Sequence, residues 1–187
     1  MKDEKIVELY FRRDQQAIEE TDIKYGNYCK TIAGNILRDY QDVEECIDDT
    51  YMKLWNRIPP TRPTVFKGFI GKIAREIAFD RYRANTSKKR GGGVIDDILD
   101  ELDECIPDVR NVENSILEAE LSTIITDFVH TLPKKEAYIF LGRYFYAYDI
   151  AFIAKKCQMT KNNVTVTLSR LRKKLQSRLI KEGYLAS

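Results

Sequence analysis

The chain has 187 residues, 43% of them hydrophobic and 32% charged, with 31 Lys and Arg against 29 Asp and Glu for a formal net charge of +2. That length holds one or two small domains, each with a core, and the composition excludes disordered and collagen-like classes. A single histidine, His130, removes most imidazole-based metal and triad chemistry.

The N-terminus, MKDEKIVELYFRRDQQ, is charged within two residues and lacks an apolar stretch of signal-peptide length. No apolar run approaches the ~20 residues of a membrane span, so the expectation is a soluble cytoplasmic protein that meets no membrane. Cys29, Cys46, Cys105 and Cys157 stand far apart with no C-x-x-C pair and read as thiols filling apolar helix faces. Neither a metal site nor a cofactor is expected.

Helical periodicity begins with Tyr25, Cys29, Ile32, Ile36 and Tyr40, which predict one helix. A second follows from Val43, Cys46, Ile47, Thr50, Tyr51, Leu54, Trp55 and Ile58, an unbroken stripe of a 3.6-residue period. On the opposite face of that helix stand Glu44, Glu45, Asp48 and Asp49, pointing away from the core. Clustered carboxylates can hold Mg²⁺, but such sites usually gather acids from separate elements around a cleft. A solvated face or a docking surface for a basic partner suits one helix better.

After Pro59, Pro60 and Pro63 comes a third stripe, Phe66, Phe69, Ile70, Ile73, Ala74 and Ile77, in the segment FKGFIGKIAREIAFDRYRANTSKKR. Its exposed side carries Lys67, Lys72, Arg75, Arg81 and Arg83, a pattern suited to phosphate binding through counterion release. Phe79 and Tyr82 read as core residues first and as platforms for unpaired bases second. Gly91, Gly92 and Gly93 then break the helix, and with Pro107 and the acids around it residues 91–111 read as an acidic linker. Two domains follow, 1–90 and 112–187, and the fold class is all-α.

In the second domain Leu117, Leu121, Ile124, Ile125, Phe128, Val129 and Leu132 form a stripe that stops at Pro133. Further on, Asp149 caps a short helix IAFIAKK, residues 157–159 turn, and Thr160 caps a longer basic helix with Val164, Leu168, Leu171 and Leu175 inward. That is the layout of a helix-turn-helix, with Lys161, Asn163, Thr165, Val166, Ser169, Arg170 and Lys173 facing outward. Arginine can read guanine bidentately, and Thr or Val methyls can pack on thymine.

Charge is therefore sorted along the chain. Six acids and no base lie between Asp39 and Asp49, eight bases and two acids between Lys67 and Gly93. Eleven acids and one base follow between Val94 and Asp127, then nine bases and no acid between Lys155 and Lys181. The +2 total is the near cancellation of these blocks.

Three of these segments resemble the sigma factors of bacterial RNA polymerase, of the sigma-70 family and its compact extracytoplasmic-function (ECF) type. QDVEECIDDTYMKLWNRI resembles the family's signature helix, FKGFIGKIAREIAFDRYR its promoter-melting segment, and LPKKEAYIFLGRYF with IAKKCQMTKNNVTVTLSRLRKKL its C-terminal helix-turn-helix. The resemblance implies that Glu44, Glu45, Asp48 and Asp49, on a helix anchored by Trp55, dock on the β′ clamp helices of core polymerase. It implies that Lys72, Arg75, Arg81, Tyr82 and Arg83 lie along the minus-ten element and its melted strand. Asn163, Thr165, Val166, Ser169 and Arg170 would face the minus-thirty-five element, with Lys161, Arg172 and Lys173 on its phosphates. The partners implied are core polymerase (β′ clamp helices and β flap) and promoter DNA, with room for an anti-sigma factor; the linker would thread toward the polymerase interior.

Three positions depart from the family's pattern. Glu76 stands where Asn is usual and would repel phosphate beside the melted strand, and Asp48 replaces a usual Gln, making the docking face more acidic. Gln158 holds the turn position usual for Gly, where a positive φ costs about 1 kcal/mol, so a distorted turn is expected. The function implied is promoter-directed initiation with DNA opening and no enzymatic chemistry. A free-standing helix-turn-helix regulator is the alternative, and a nuclease using the acids between Asp42 and Asp49 is a third, less favoured one.

Overall fold

Apolar stripes at helical spacing have to be buried against one another, and the chain does this in two separate units, Met1–Gly91 and Gly92–Ser187. The computed structural model describes residues 1–86, 93–106 and 115–185, with the side chains of 115–120 excepted. All regular elements among the described residues are helices, none long and apolar enough to cross a membrane.

The first unit contains α1 (Asp3–Phe11), α2 (Gln16–Ile36), α3 (Tyr40–Arg57) and α4 (Phe66–Thr86). Helices α2, α3 and α4 pack mutually, and α1 lies against α2. Ile32, Ile36, Leu54, Ile58, Phe66, Ile70 and Ile73 form the fully buried centre, each contributing roughly 1.5–3 kcal/mol of burial. Polar side chains lock the crossings: Tyr51 donates to Asp22 at 2.7 Å, Tyr25 to Asp3 at 2.7 Å, and Tyr10 and Thr21 share a hydrogen bond of 3.0 Å. Burial pushes the Cys29 thiol up to about 12 and the Cys46 thiol to about 11, so both are protonated core fillers. A Cβ at Gly71 would run into the Tyr28 hydroxyl, so a larger residue there would have to displace the Tyr28 ring at the α2–α4 crossing.

Two details differ from the periodicity. Helix α2 stops at Ile36, and Tyr40 opens α3 as an exposed residue rather than closing the α2 stripe. Asp39 accounts for the break: its carboxylate accepts from the backbone N–H of Gln41 at 2.8 Å and of Asp42 at 3.2 Å, capping α3. Helix α1, too short for a long stripe, buries Ile6, Val7 and Tyr10.

The second unit contains α5 (Val94–Asp103), α6 (Ser115–Thr131), α7 (Lys134–Tyr144), α8 (Ile150–Cys157) and α9 (Lys161–Lys181). Helix α9 packs against α6, α7 and α8 through Val164, Leu168, Leu171, Leu175 and Leu179. The expected linker is in part structured: α5 falls inside 91–111 and packs on α7 with Ile95 and Ile98 buried, and Cys105 and Ile106 are buried just beyond it. Its acids had masked an i, i+3 apolar pattern, and the second unit accordingly begins at Gly92 instead of 112. Residues 91–92 and 107–111 of that span lie outside the described residues.

Candidate functional site

The acids of α3 are not equivalent. Glu45 and Asp49 flank α4, where Arg81 donates to Glu45 at 2.7 Å and to Asp49 at 2.5 Å. Hydrogen bonds from Arg81 and Gln41 hold the Glu45 carboxyl below its usual range. Glu44 faces α2 and pairs with Lys30 at 3.0 Å, and Asp42 accepts from Asn85 at 2.8 Å. Asp48 is exposed with no ion-pair partner among the described residues, and Met52, one turn on, is 59% exposed. Asp48 thus presents an unpaired carboxylate beside an apolar side chain, while Asp42 is held by a neutral amide and Glu45 and Asp49 share one arginine. Trp55 sits on the inner flank, edge-on to Tyr10 at 6.2 Å, with the Arg13 guanidinium 5.3 Å from its ring centre. It anchors the helix to α1.

Arg81 belongs to this arrangement because it continues the apolar line of α4, four residues after Ile77 and three after Ala78. It thus departs from the expected cationic strip. Lys72 and Arg83, eleven residues or three turns apart, share the exposed face. Arg75 is half-buried with its guanidinium 4.5 Å from the Phe79 ring centre, and desolvation brings its pKa down to about 10. Phe79 is core and Tyr82 is half-buried. Glu76 accepts from Lys53 of α3 at 3.0 Å and lies 3.6 Å from Arg57, so its charge is largely compensated by α3 and the expected repulsion of phosphate is weakened.

In the second unit both expected caps are present: Asp149 accepts from the N–H of Phe152 at 2.6 Å and Thr160 from that of Asn163 at 3.1 Å. Gln158 adopts φ 52° and ψ 50°, the left-handed conformation. The expected distortion is absent, since the N–H of Met159 still closes on the carbonyl of Ala154 at 2.9 Å. The backbone keeps the turn and the residue carries the strain.

Lys161, Asn163, Thr165, Val166, Arg170 and Lys173 are exposed along α9, and Ser169 is half-buried among them. Val166, Ser169, Arg170 and Lys173 line one shallow depression together with Lys174 and Ser177. Arg172 does not join them. It follows Leu168 by four residues on the flank of the buried stripe, is 15% exposed, and donates to the Tyr144 hydroxyl at 2.8 Å and to Glu101 at 3.3 Å. That guanidinium is directed toward Tyr144 and Glu101 instead of along the outward face of α9.

Around it is a cluster that block-by-block charge did not anticipate. Arg143, only 2% exposed, donates to Glu101 at 2.8 Å, and the Tyr144 hydroxyl donates to the same carboxylate at 2.8 Å. The signal was an arginine one residue before Tyr144 on the buried side of α7. Glu136, the other residue missed, accepts from Arg170 at 2.6 Å. Among the described residues no three His, Cys, Asp or Glu side chains gather where a metal could sit.

An acid-faced helix against a basic one in the first unit, and a capped helix-turn-helix in the second, define the surfaces on which sequence comparison bears. Residues 24–88 match the family described as Sigma-70 region 2, and residues 122–175 match Sigma-70, region 4. The two matches together cover well over half of the chain. The chain belongs to the sigma-70 family. No curated protein matched it in a search by sequence. Region 2 spans most of α2 and all of α3 and α4, and region 4 spans α7, α8 and the greater part of α6 and α9. Both regions belong to sigma factors acting in promoter-directed transcription initiation, with core RNA polymerase and promoter DNA as partners.

Proposed function

We propose that this protein is an ECF-type sigma factor that docks on core polymerase through α3, engages and helps open the minus-ten element with α4, and reads the minus-thirty-five element with α9. The observation that carries this reading is the presence, in one chain, of an acid-faced helix packed on a basic one and of a helix-turn-helix. A free-standing regulator needs only the latter.

In this reading Asp48 and Met52 meet the β′ clamp helices, with Glu44, Glu45 and Asp49 completing the acidic field and Trp55 holding the helix. Lys72, Arg75, Tyr82 and Arg83 accompany the melted strand. Arg81 orders the acids of α3. On α9, Asn163, Thr165, Val166, Ser169 and Arg170 face bases while Lys161 and Lys173 hold phosphates, and the β flap meets the second unit. The protein works in the cytoplasm, supplies no chemistry of its own, and leaves a place for an anti-sigma partner on the same surfaces.

The test is transcription in vitro from a randomised promoter library, using core polymerase from the same cell with and without the full chain. Enrichment of two spaced motifs only when the chain is present is the expected result. Binding to a single DNA motif with no association with polymerase and no transcript favours the free-standing regulator.

A further inference from the structure

We propose that Glu136, in the first turn of α7, is the positioning residue that aims Arg170 at a base and so sets sequence preference in the upstream promoter element. The inference rests on the promoter-recognition reading above. Arg170 is 56% exposed on the outward face of α9, and its Nη2 donates to Glu136 Oε1 at 2.6 Å. Glu136 is only 21% exposed, and its second oxygen is buried with no hydrogen-bond partner among the described residues. That oxygen is out of reach of DNA, and the carboxylate acts through the arginine it holds.

Two physical consequences follow from this geometry. A free arginine side chain samples many rotamers, whereas one edge pinned by an anchored carboxylate restricts the planar fork and leaves its other N–H groups free for a bidentate contact with guanine. The paired carboxylate also cancels most of the guanidinium charge, so Arg170 adds little to sequence-independent attraction by phosphates. Directional donors are kept while the point charge is muted, which is what discrimination between bases requires.

The neighbours on α9 differ. Lys161 and Lys173 are exposed with no ion pair among the described residues, and suit phosphates. Arg172 is turned inward toward Glu101, and Arg178 lies 3.9 Å from Glu182 of its own chain segment. Among the described residues of α9, Arg170 alone is both outward and held by a carboxylate from another helix.

The experiment uses holoenzyme assembled from core polymerase and the full chain, presented with duplexes randomised over the upstream element. Wild type, Arg170→Ala, Glu136→Gln and Glu136→Asp are compared, with thermal melting of each as the control for folding. Arg170→Ala should erase preference at one or two base pairs. Glu136→Gln, nearly isosteric, should lose about five- to tenfold of the preference at those same pairs while binding scrambled duplex as well as wild type or better. Glu136→Asp, which keeps the charge, should retain more preference than Gln, and Glu136→Gln added to Arg170→Ala should change nothing further at those pairs.

Wild-type preference in Glu136→Gln at a pair that Arg170→Ala erases would overturn the proposal. So would an Arg170→Ala variant that erases none, or a uniform loss of affinity over all sequences accompanied by a lowered melting temperature. A wild-type holoenzyme that enriches no sequence at all sinks the promoter reading itself, and this inference with it.

Discussion

Arg81 closes on Asp49 across the α3–α4 interface at 2.5 Å, so a cation at the end of the apolar line of α4 neutralises an acid that fronts α3. The same guanidinium takes Glu45 at 2.7 Å. Both carboxylates are about half exposed, which limits what the clasp adds to stability. Arg81→Ala should cost about 1 kcal/mol or less in urea unfolding of the full chain. Open-complex formation should fall more in Lys72→Ala and Arg83→Ala than in Arg81→Ala. A larger defect in Arg81→Ala than in those two would return Arg81 to the DNA.

Glu76 spans to Lys53 and Arg57, which makes it a counter-ion for α3 as much as a barrier to phosphate. Replacing it by Gln frees two cations next to the basic face of α4. Glu76→Gln should therefore strengthen non-specific DNA binding and steepen its salt dependence by about one to two phosphate equivalents. Titrations at several salt concentrations measure that slope, and an unchanged slope would show that Lys53 and Arg57 do not reach DNA.

How legible all this was in the sequence depends on the range of the interaction. The stripes of α2, α3, α4 and α9 follow from the period of one helix, and the caps Asp149 and Thr160 bond within three residues, so both can be read locally. Helix α5 was hidden because Ile95 and Ile98 lie among acids whose count suggested a linker. Arg81, Arg172 and Glu76 were placed by their charge and their position in the family's motifs, yet their partners stand 19 to 71 residues away, and neither guide contains that information. Gln158 shows the converse case, in which the conformation was anticipated and its consequence was not: tertiary packing of α8 and α9 holds the turn despite the residue.

That turn gives a stability prediction. Gln158 sits at φ 52°, where an L side chain costs roughly 1–2 kcal/mol, offset in part by the greater entropy a glycine loses on folding. Gln158→Gly should stabilise the second unit by about 0.5–1 kcal/mol in thermal or urea unfolding. A destabilised variant would mean that the Gln158 side chain supplies more than its backbone costs.

Among the described residues Glu101 is the one carboxylate facing both Arg143 and Arg172, and it also accepts from Tyr144. Removing it leaves Arg143, which is almost entirely buried, without its ionic partner. Glu101→Ala should cost about 3–5 kcal/mol and expose α5 to protease earlier than the rest of the unit. Urea unfolding and limited proteolysis measure the two effects. A loss below about 1 kcal/mol would show that water or another acceptor replaces the carboxylate at Arg143.

Arg172 and Lys173 are adjacent in sequence and of the same charge, yet the helix turns them to different tasks. Arg172 is held inward by Tyr144 and Glu101, and Lys173 is exposed on the face with Val166 and Arg170. Arg172→Ala should lower stability, because Tyr144 and Glu101 lose a shared partner, while the salt dependence of DNA binding stays as it is. Lys173→Ala should leave unfolding unchanged within about 0.5 kcal/mol and reduce the salt slope by about one. Denaturation and salt-dependent DNA titration of the two variants side by side separate the roles. A reduced slope in Arg172→Ala with unaltered stability would put that guanidinium back on the phosphates, and would require α5 to leave α9 when DNA binds.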